Sequence, residues 1–214
     1  MKHLDSLILK LSACFVMLFC GVLSFHAAAQ DINGELILYV PFEEDSYDAS
    51  QWYLVQNNDN QADILGLTYE EGPEGGSAMV IYTLTLPTVA LNNIQYTNET
   101  LPLPEGAGQY PWRVTFWIQV KVAPFIIRPI IAMSADPWTG TSFDYTIETA
   151  DVWEFVDVTL DAESALNTDP LLFIFHMGNP GDEYDENEIW LDELKVYLLN
   201  EEQTSITDWM LLNE

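Results

Sequence analysis

Between residues 112 and 122 the chain alternates without a break. Trp112, Val114, Phe116, Ile118, Val120 and Val122 are apolar, with Arg113, Thr115, Trp117, Gln119 and Lys121 set between them. A period of two places the first set on a core face and the second on a wet one. Residues 154–160 repeat the pattern, with Val156, Val158 and Leu160 inward and Phe155, Asp157 and Thr159 outward. Further on, Phe173, Phe175 and Met177 share one face, and Leu172, Ile174 and His176 share the other. Segments of this kind, rich in β-branched and aromatic residues, predict strands near 35–42, 51–55, 63–69, 78–85, 93–97, 111–122, 125–133, 142–148, 153–160, 170–177 and 188–199. Turn chemistry at 57–60, 72–76, 102–108, 136–140 and 179–182 separates them. With no repeat and no heptad seam, the pattern predicts an all-β sandwich or barrel.

The first 29 residues follow another grammar. A basic opening, an apolar run from 11 to 25 and small residues at Ala27 and Ala29 predict a secretory signal peptide cut after Ala29. The string Leu11-Ser12-Ala13-Cys14 has the form of a lipobox. The apolar run lies mostly after Cys14, where a lipobox should follow it, so ordinary cleavage is expected. The whole chain carries six cations against 34 acids, a net charge of −28. Removing the leader takes away Lys2, Lys10 and Asp5, which leaves four cations, 33 acids and a net charge of −29. Cys14, Cys20, His3 and His26 leave with it.

That subtraction excludes whole classes of function. No thiol remains for a disulfide, a nucleophile or a zinc site, and His176 is the one histidine left. So acidic a chain is repelled by phosphate backbones, which excludes nucleic acid as a partner. No later stretch approaches the ~18 apolar residues of a membrane span. The expectation is a secreted protein, extracellular or at the cell surface. Residues 30–200 suit one domain, and 201–214 a tail or linker.

Taken in order, several stretches resemble the carbohydrate-binding modules of families 4, 9 and 22. These are an opening strand ending in Phe42-Glu43, Trp52 soon after it, and the glycine turn Gly75-Gly76 leading into Ser77–Ile81. Phe116-Trp117, Trp153-Glu154-Phe155-Val156-Asp157-Val158 and, after Gly178 and a loop, Ile189-Trp190-Leu191-Asp192-Glu193-Leu194 continue the pattern. The resemblance implies a β-sandwich jelly roll of two antiparallel sheets with galactose-binding-domain-like topology. It also implies a structural calcium, with carboxylates at the positions of Glu43 and Asp192 and backbone carbonyls completing the shell. Ligand binding in the family uses the concave face of one sheet or its rim loops, where sugar rings stack on aromatics and hydroxyls meet planar polar groups. Carried over by position, the wet faces supply Tyr82, Arg113, Trp117, Gln119 and His176, with Trp138 on a loop tip as a second stacking residue. The implied partner is a polysaccharide or oligosaccharide, within a polysaccharide-degrading system.

The enzyme signals are weaker. No Gly-x-Ser-x-Gly elbow is present, and four cations are too few for a lyase cleft that holds an acidic sugar. In Glu188-Ile189-Trp190-Leu191-Asp192-Glu193, simple alternation places Glu188 and Asp192 on one face and Glu193 on the other, unlike the triad of a jelly-roll glucanase. The acidic run 182–188 reads as a solvated loop. A non-catalytic sugar-binding module is therefore expected. A structural or adhesive module of the same fold and a jelly-roll glycoside hydrolase remain as alternatives.

Overall fold

The structure, a computed structural model, describes residues 34–56, 62–68, 71–83, 94–167, 169–178 and 186–200, all within the compact unit Asn33–Glu214. The expected leader with its lipobox, the turns at 57–60 and 179–182, most of the acidic run and the tail lie outside the described residues.

In chain order the strands are β1 (Gly34–Val40), β2 (Trp52–Gln56), β3 (Ala62–Thr68), β4 (Ala78–Thr83), β5 (Ile94–Leu101), β6 (Trp112–Val120), β7 (Phe125–Met133), β8 (Gly140–Ser142), β9 (Tyr145–Ile147), β10 (Glu154–Leu160), β11 (Leu171–Gly178) and β12 (Asn187–Leu199). One predicted strand, 142–148, divides in two. The chain breaks at Phe143-Asp144, where the Asp144 carboxylate takes both arms of the Arg128 guanidinium on β7.

The first sheet runs β10-β6-β12-β4-β3, with β1 joined to the far half of β12. The second runs β2-β5-β11-β7-β8, with β9 joined to β7. Every pairing is antiparallel. The core lies between the two sheets, and the alternation on β6, β10 and β11 fills it as expected. Trp112, Phe116, Val156, Phe173 and Phe175 are fully buried. Phe116 of the first sheet meets Phe175 of the second edge-on at 4.9 Å, and Phe175 meets Phe173 at 4.8 Å. Each such ring, removed from water, contributes ~1.5–3 kcal/mol.

β12 shows how sequence parity becomes geometry. Ile189 and Leu191 enter the core on odd numbers, whereas Leu194, Val196 and Leu198 enter on even ones. A bulge reconciles the two runs: the register against β6 slips between Asp192 and Lys195, and Glu193 takes φ 49°. The expectation that Glu193 points away from Asp192 is thereby corrected, since both border the same cavity. Thr115, expected on the wet face, is buried between its register partners Asp157 and Lys195.

Candidate functional site

Four of the five expected ligand residues share the outer face of the first sheet. Trp117 pairs in register with Phe155 and Asp192, Arg113 with Thr159 and Tyr197, Gln119 with Trp190, and Tyr82 with Glu188. Three of these side chains are engaged with neighbours outside the set. The Arg113 guanidinium donates through Nε and Nη2 to Asp157 at 2.7 and 2.5 Å, which raises its pKa. Trp117 leans on Phe155, with ring centroids 5.1 Å apart. Tyr82 is hydrogen-bonded to Glu186, which raises its phenol pKa.

Below Trp117 a cavity of about 250 Å³ opens between Tyr39, Glu43, Glu74, Asp192 and Glu193. Asp192 is 5% exposed, and its Oδ1 accepts the Glu193 N–H at 2.7 Å. Burial, helped by Glu193, Glu43 and Glu74, pushes its carboxyl up to about 7. Among the described residues, no group of three acids, histidines or cysteines could hold a metal through side chains alone. Oxygens of mixed kind do gather near Asp192. Asp192 Oδ2 and the carbonyls of Gly76 and Ser77 lie within 3.0–3.1 Å of the point where a Gly72 side chain would begin. Glu43 Oε1 lies against Gly76 and accepts the Ser77 N–H at 3.2 Å. Carboxylates and carbonyls on a glycine turn are the hard oxygen donors that calcium takes.

His176 departs from the expected grouping. It lies on β11, in the other sheet, and faces outward there between Gln95 of β5 and Arg128 of β7. The reason is topological: alternation assigns a residue to the inside or the outside of a sandwich, never to one of its two outsides. Two rows cross this second face. One runs Tyr53, Thr97, Ile174, Ile130 and Ser142; the other runs Val55, Gln95, His176 and Arg128, the last closed by Asp144. Ala132, Leu172 and Ile174 form a small apolar cluster beside them. Tyr53 at the edge is 38% exposed. Two buried polar atoms on this face, Thr97 Oγ1 and His176 Nδ1, have no hydrogen-bond partner. Burial, and then Arg128, pull the His176 imidazole down to about 4, so it is neutral at pH 7. Sequence reasoning missed Tyr53, Thr97, Arg128 and Asp144. The signal for Tyr53 was present, because it and Val55 alternate with the inward Trp52 and Leu54. Trp138 lies 59% exposed with φ 55° on the turn between β7 and β8.

No family model matches the chain, and no curated protein is similar to it in sequence. Solved structures are similar in shape. The CBM22-1 xylan-binding domain of Xyn10C from Paenibacillus barcinonensis aligns over 78% of this chain and 96% of its own, at 12% identity and a TM-score of 0.53. The C-terminal family 22 carbohydrate-binding module of Clostridium thermocellum Xyn10B aligns over 79% and 97%, at 14% identity and 0.53. An arabinose-bound α-L-arabinofuranosidase, MgGH51, aligns over 81% of this chain and 28% of its own, at 12% identity and 0.54. At such identities the likeness is one of fold. The chain has the β-sandwich jelly-roll fold that these carbohydrate-binding modules share. Among the described residues, no helix is long and apolar enough to cross a membrane.

Proposed function

We propose that the chain is a secreted, non-catalytic carbohydrate-binding module that takes its glycan on the outer face of the second sheet. One observation carries the reading: Thr97 Oγ1 and His176 Nδ1 are buried there without partners. Buried polar groups are normally satisfied, and a sugar hydroxyl supplies both a donor and an acceptor once the side chains covering these two atoms turn aside. Tyr53 offers a ring for stacking at one end of the row, and the partly exposed Ile130, backed by the buried Ile174–Ala132 cluster, offers apolar contact for a sugar's C–H face. Five strands spaced ~4.8 Å apart give the row a length of about 19 Å, enough for several linked rings. Calcium belongs to the same reading as a structural ion, held by Glu43, Asp192 and the carbonyls of Gly76 and Ser77. It would tie the segment after β1 to the turn before β4 and to β12.

A glycan array followed by titration of the best oligosaccharide tests the site. Tyr53→Ala and His176→Ala should each weaken binding about ten-fold or more, equivalent to ~1.4 kcal/mol. Wild-type binding to no glycan would overturn the assignment, and release of reducing ends from a bound glycan would favour the hydrolase alternative. Calcium is tested by melting: a rise on adding it, abolished in Asp192→Asn, is expected. An unchanged melting temperature would remove the ion from the account.

A further inference from the structure

Asp144 owes its place to a gap in a ladder. On β7, residues 130–132 pair with β8 and residues 125–127 with β9, so Arg128 and Pro129 have no register partner on that side. Pro129 has no N–H to offer a neighbouring strand. The chain breaks opposite the two, and Asp144 turns its carboxylate onto Arg128. Nε donates to Oδ1, and Nη2 donates to Oδ2 at 2.9 Å.

Stability is a poor reason for this arrangement. The two side chains are 30% and 51% exposed, and an ion pair so open to water is worth under ~1 kcal/mol. What the pair does provide is a fixed edge of two signs. A guanidinium carries five N–H donors in one plane, and among the described residues only two of them are used, both on Asp144. Each carboxylate oxygen keeps a further lone pair. At the Nη2–Oδ2 edge a donor and an acceptor therefore sit side by side, 2.9 Å apart. Two gauche hydroxyls on neighbouring carbons have about that spacing. One can accept from Nη2 while the other donates to Oδ2, and neither protein group has to release the other. Their mutual hydrogen bonds hold Asp144 below the usual carboxylate range and Arg128 above its ordinary value, so both stay charged and their sum is zero.

Position supplies a second, independent observation. His176, whose Nδ1 is buried without a partner, pairs in register with Arg128. The Arg113–Asp157 pair on the first sheet has the same bidentate form but no such neighbour. Among the described residues, the buried side-chain atoms without partners belong to Thr97, Asn98 and His176, all on strands of the second sheet.

We propose that Arg128 and Asp144 together read a vicinal diol, and that the glycan taken by the second sheet carries free neighbouring hydroxyls on its internal units. This assignment rests on the sugar-binding reading above and adds a linkage to it. An unbranched chain of 1,4-linked pyranoses keeps its second and third hydroxyls free, and these are neighbours. A chain of 1,3-linked hexoses keeps the second and fourth, which straddle the linked carbon and lie too far apart for one edge.

Pull-down onto unbranched 1,4-linked glucan, mannan, galactan and xylan, beside unbranched 1,3-linked glucan, tests the linkage. At least one 1,4-linked polymer should hold the chain, and the 1,3-linked glucan should hold roughly a tenth as much or less. Calorimetry with the 1,4-linked hexasaccharide of the retained sugar then compares variants. Arg128→Lys keeps the charge without the planar fork, and should weaken binding about ten-fold, or ~1.4 kcal/mol. Asp144→Asn keeps an acceptor without the charge and should weaken it in the same direction. Both should melt close to wild type, as the loss of a surface pair allows. Arg113→Lys, the same change in the matching pair of the first sheet, should leave affinity unchanged. Equal retention on the 1,3-linked glucan would overturn the diol assignment. So would full affinity in Arg128→Lys, or an equal loss in Arg113→Lys, which would mark a general effect of charge. If no polymer is held, this assignment falls together with the reading beneath it. If a polymer is held through Tyr53 and His176 while Arg128→Lys is silent, the diol assignment falls alone.

Discussion

The two outer faces of the sandwich carry similar residue types in different states of engagement. On the first sheet Arg113 is spent on Asp157, Trp117 on Phe155 and Tyr82 on Glu186. On the second, Arg128 is likewise spent on Asp144, but Thr97 and His176 keep buried atoms unpaired. Residue type alone nominates a binding face poorly. On the proposed reading the state of its hydrogen bonds is the better guide, because a satisfied group must break a bond to meet a ligand and an orphaned one gains its first.

The change that most strongly breaks this comparison acts on both faces at once. Phe175→Ala opens a cavity where the sheets meet and should cost about 3–5 kcal/mol, read as a lowered denaturation midpoint with glycan binding lost on both sides. A glycan still bound at full strength by such a variant would show that the faces do not depend on their shared core. Next in size, Tyr53→Ala should lower affinity for an uncharged glycan about ten-fold or more, whereas Trp117→Ala should change it less than two-fold. The reverse order would move the site to the first sheet.

A pH series sharpens the contrast further. Burial and then Arg128 hold His176 neutral down to about 4 in the folded chain, with Asp144 pulling the other way, against an ordinary value of 6.5. Between those values the unfolded chain binds a proton that the folded chain refuses. His176 therefore removes stability as pH falls through that window and has no effect above it. His176→Gln should lose less melting temperature than wild type between about pH 7 and about pH 5. The smallest effect is expected on the first sheet, where Arg113→Met removes a surface ion pair worth under ~1 kcal/mol. Thermal melts of that variant should nearly superimpose on wild type.

Much of this architecture could be read from alternation. Trp112 to Val120 and Val156 to Leu160 follow the expected parity in the structure, and the shift from Leu191 to Leu194 already encoded the β12 bulge. Sheet membership was not legible. His176 and Trp117 are both outward, and only the pairing of β11 with β5 and β7 separates them. The Arg128–Asp144 pair was hidden for a related reason, since it depends on where a strand breaks. The Glu43 and Asp192 positions came from resemblance, while Gly72, Gly76 and Ser77 became visible as their neighbours only through a turn that folds back on both.

β12 has one more consequence. It is the last described strand, and β4, β6 and β1 all zip onto it. β1 pairs with nothing else among the described strands, Gly34 meeting Leu199 from the opposite end. The first sheet is therefore closed by contacts of very long sequence separation, the kind that make folding slow. A nascent chain leaving the ribosome would hold β6 and β4 each with an open edge until β12 had emerged. Through that interval the open edges could pair with those of neighbouring chains, and the heavy negative charge opposes such pairing.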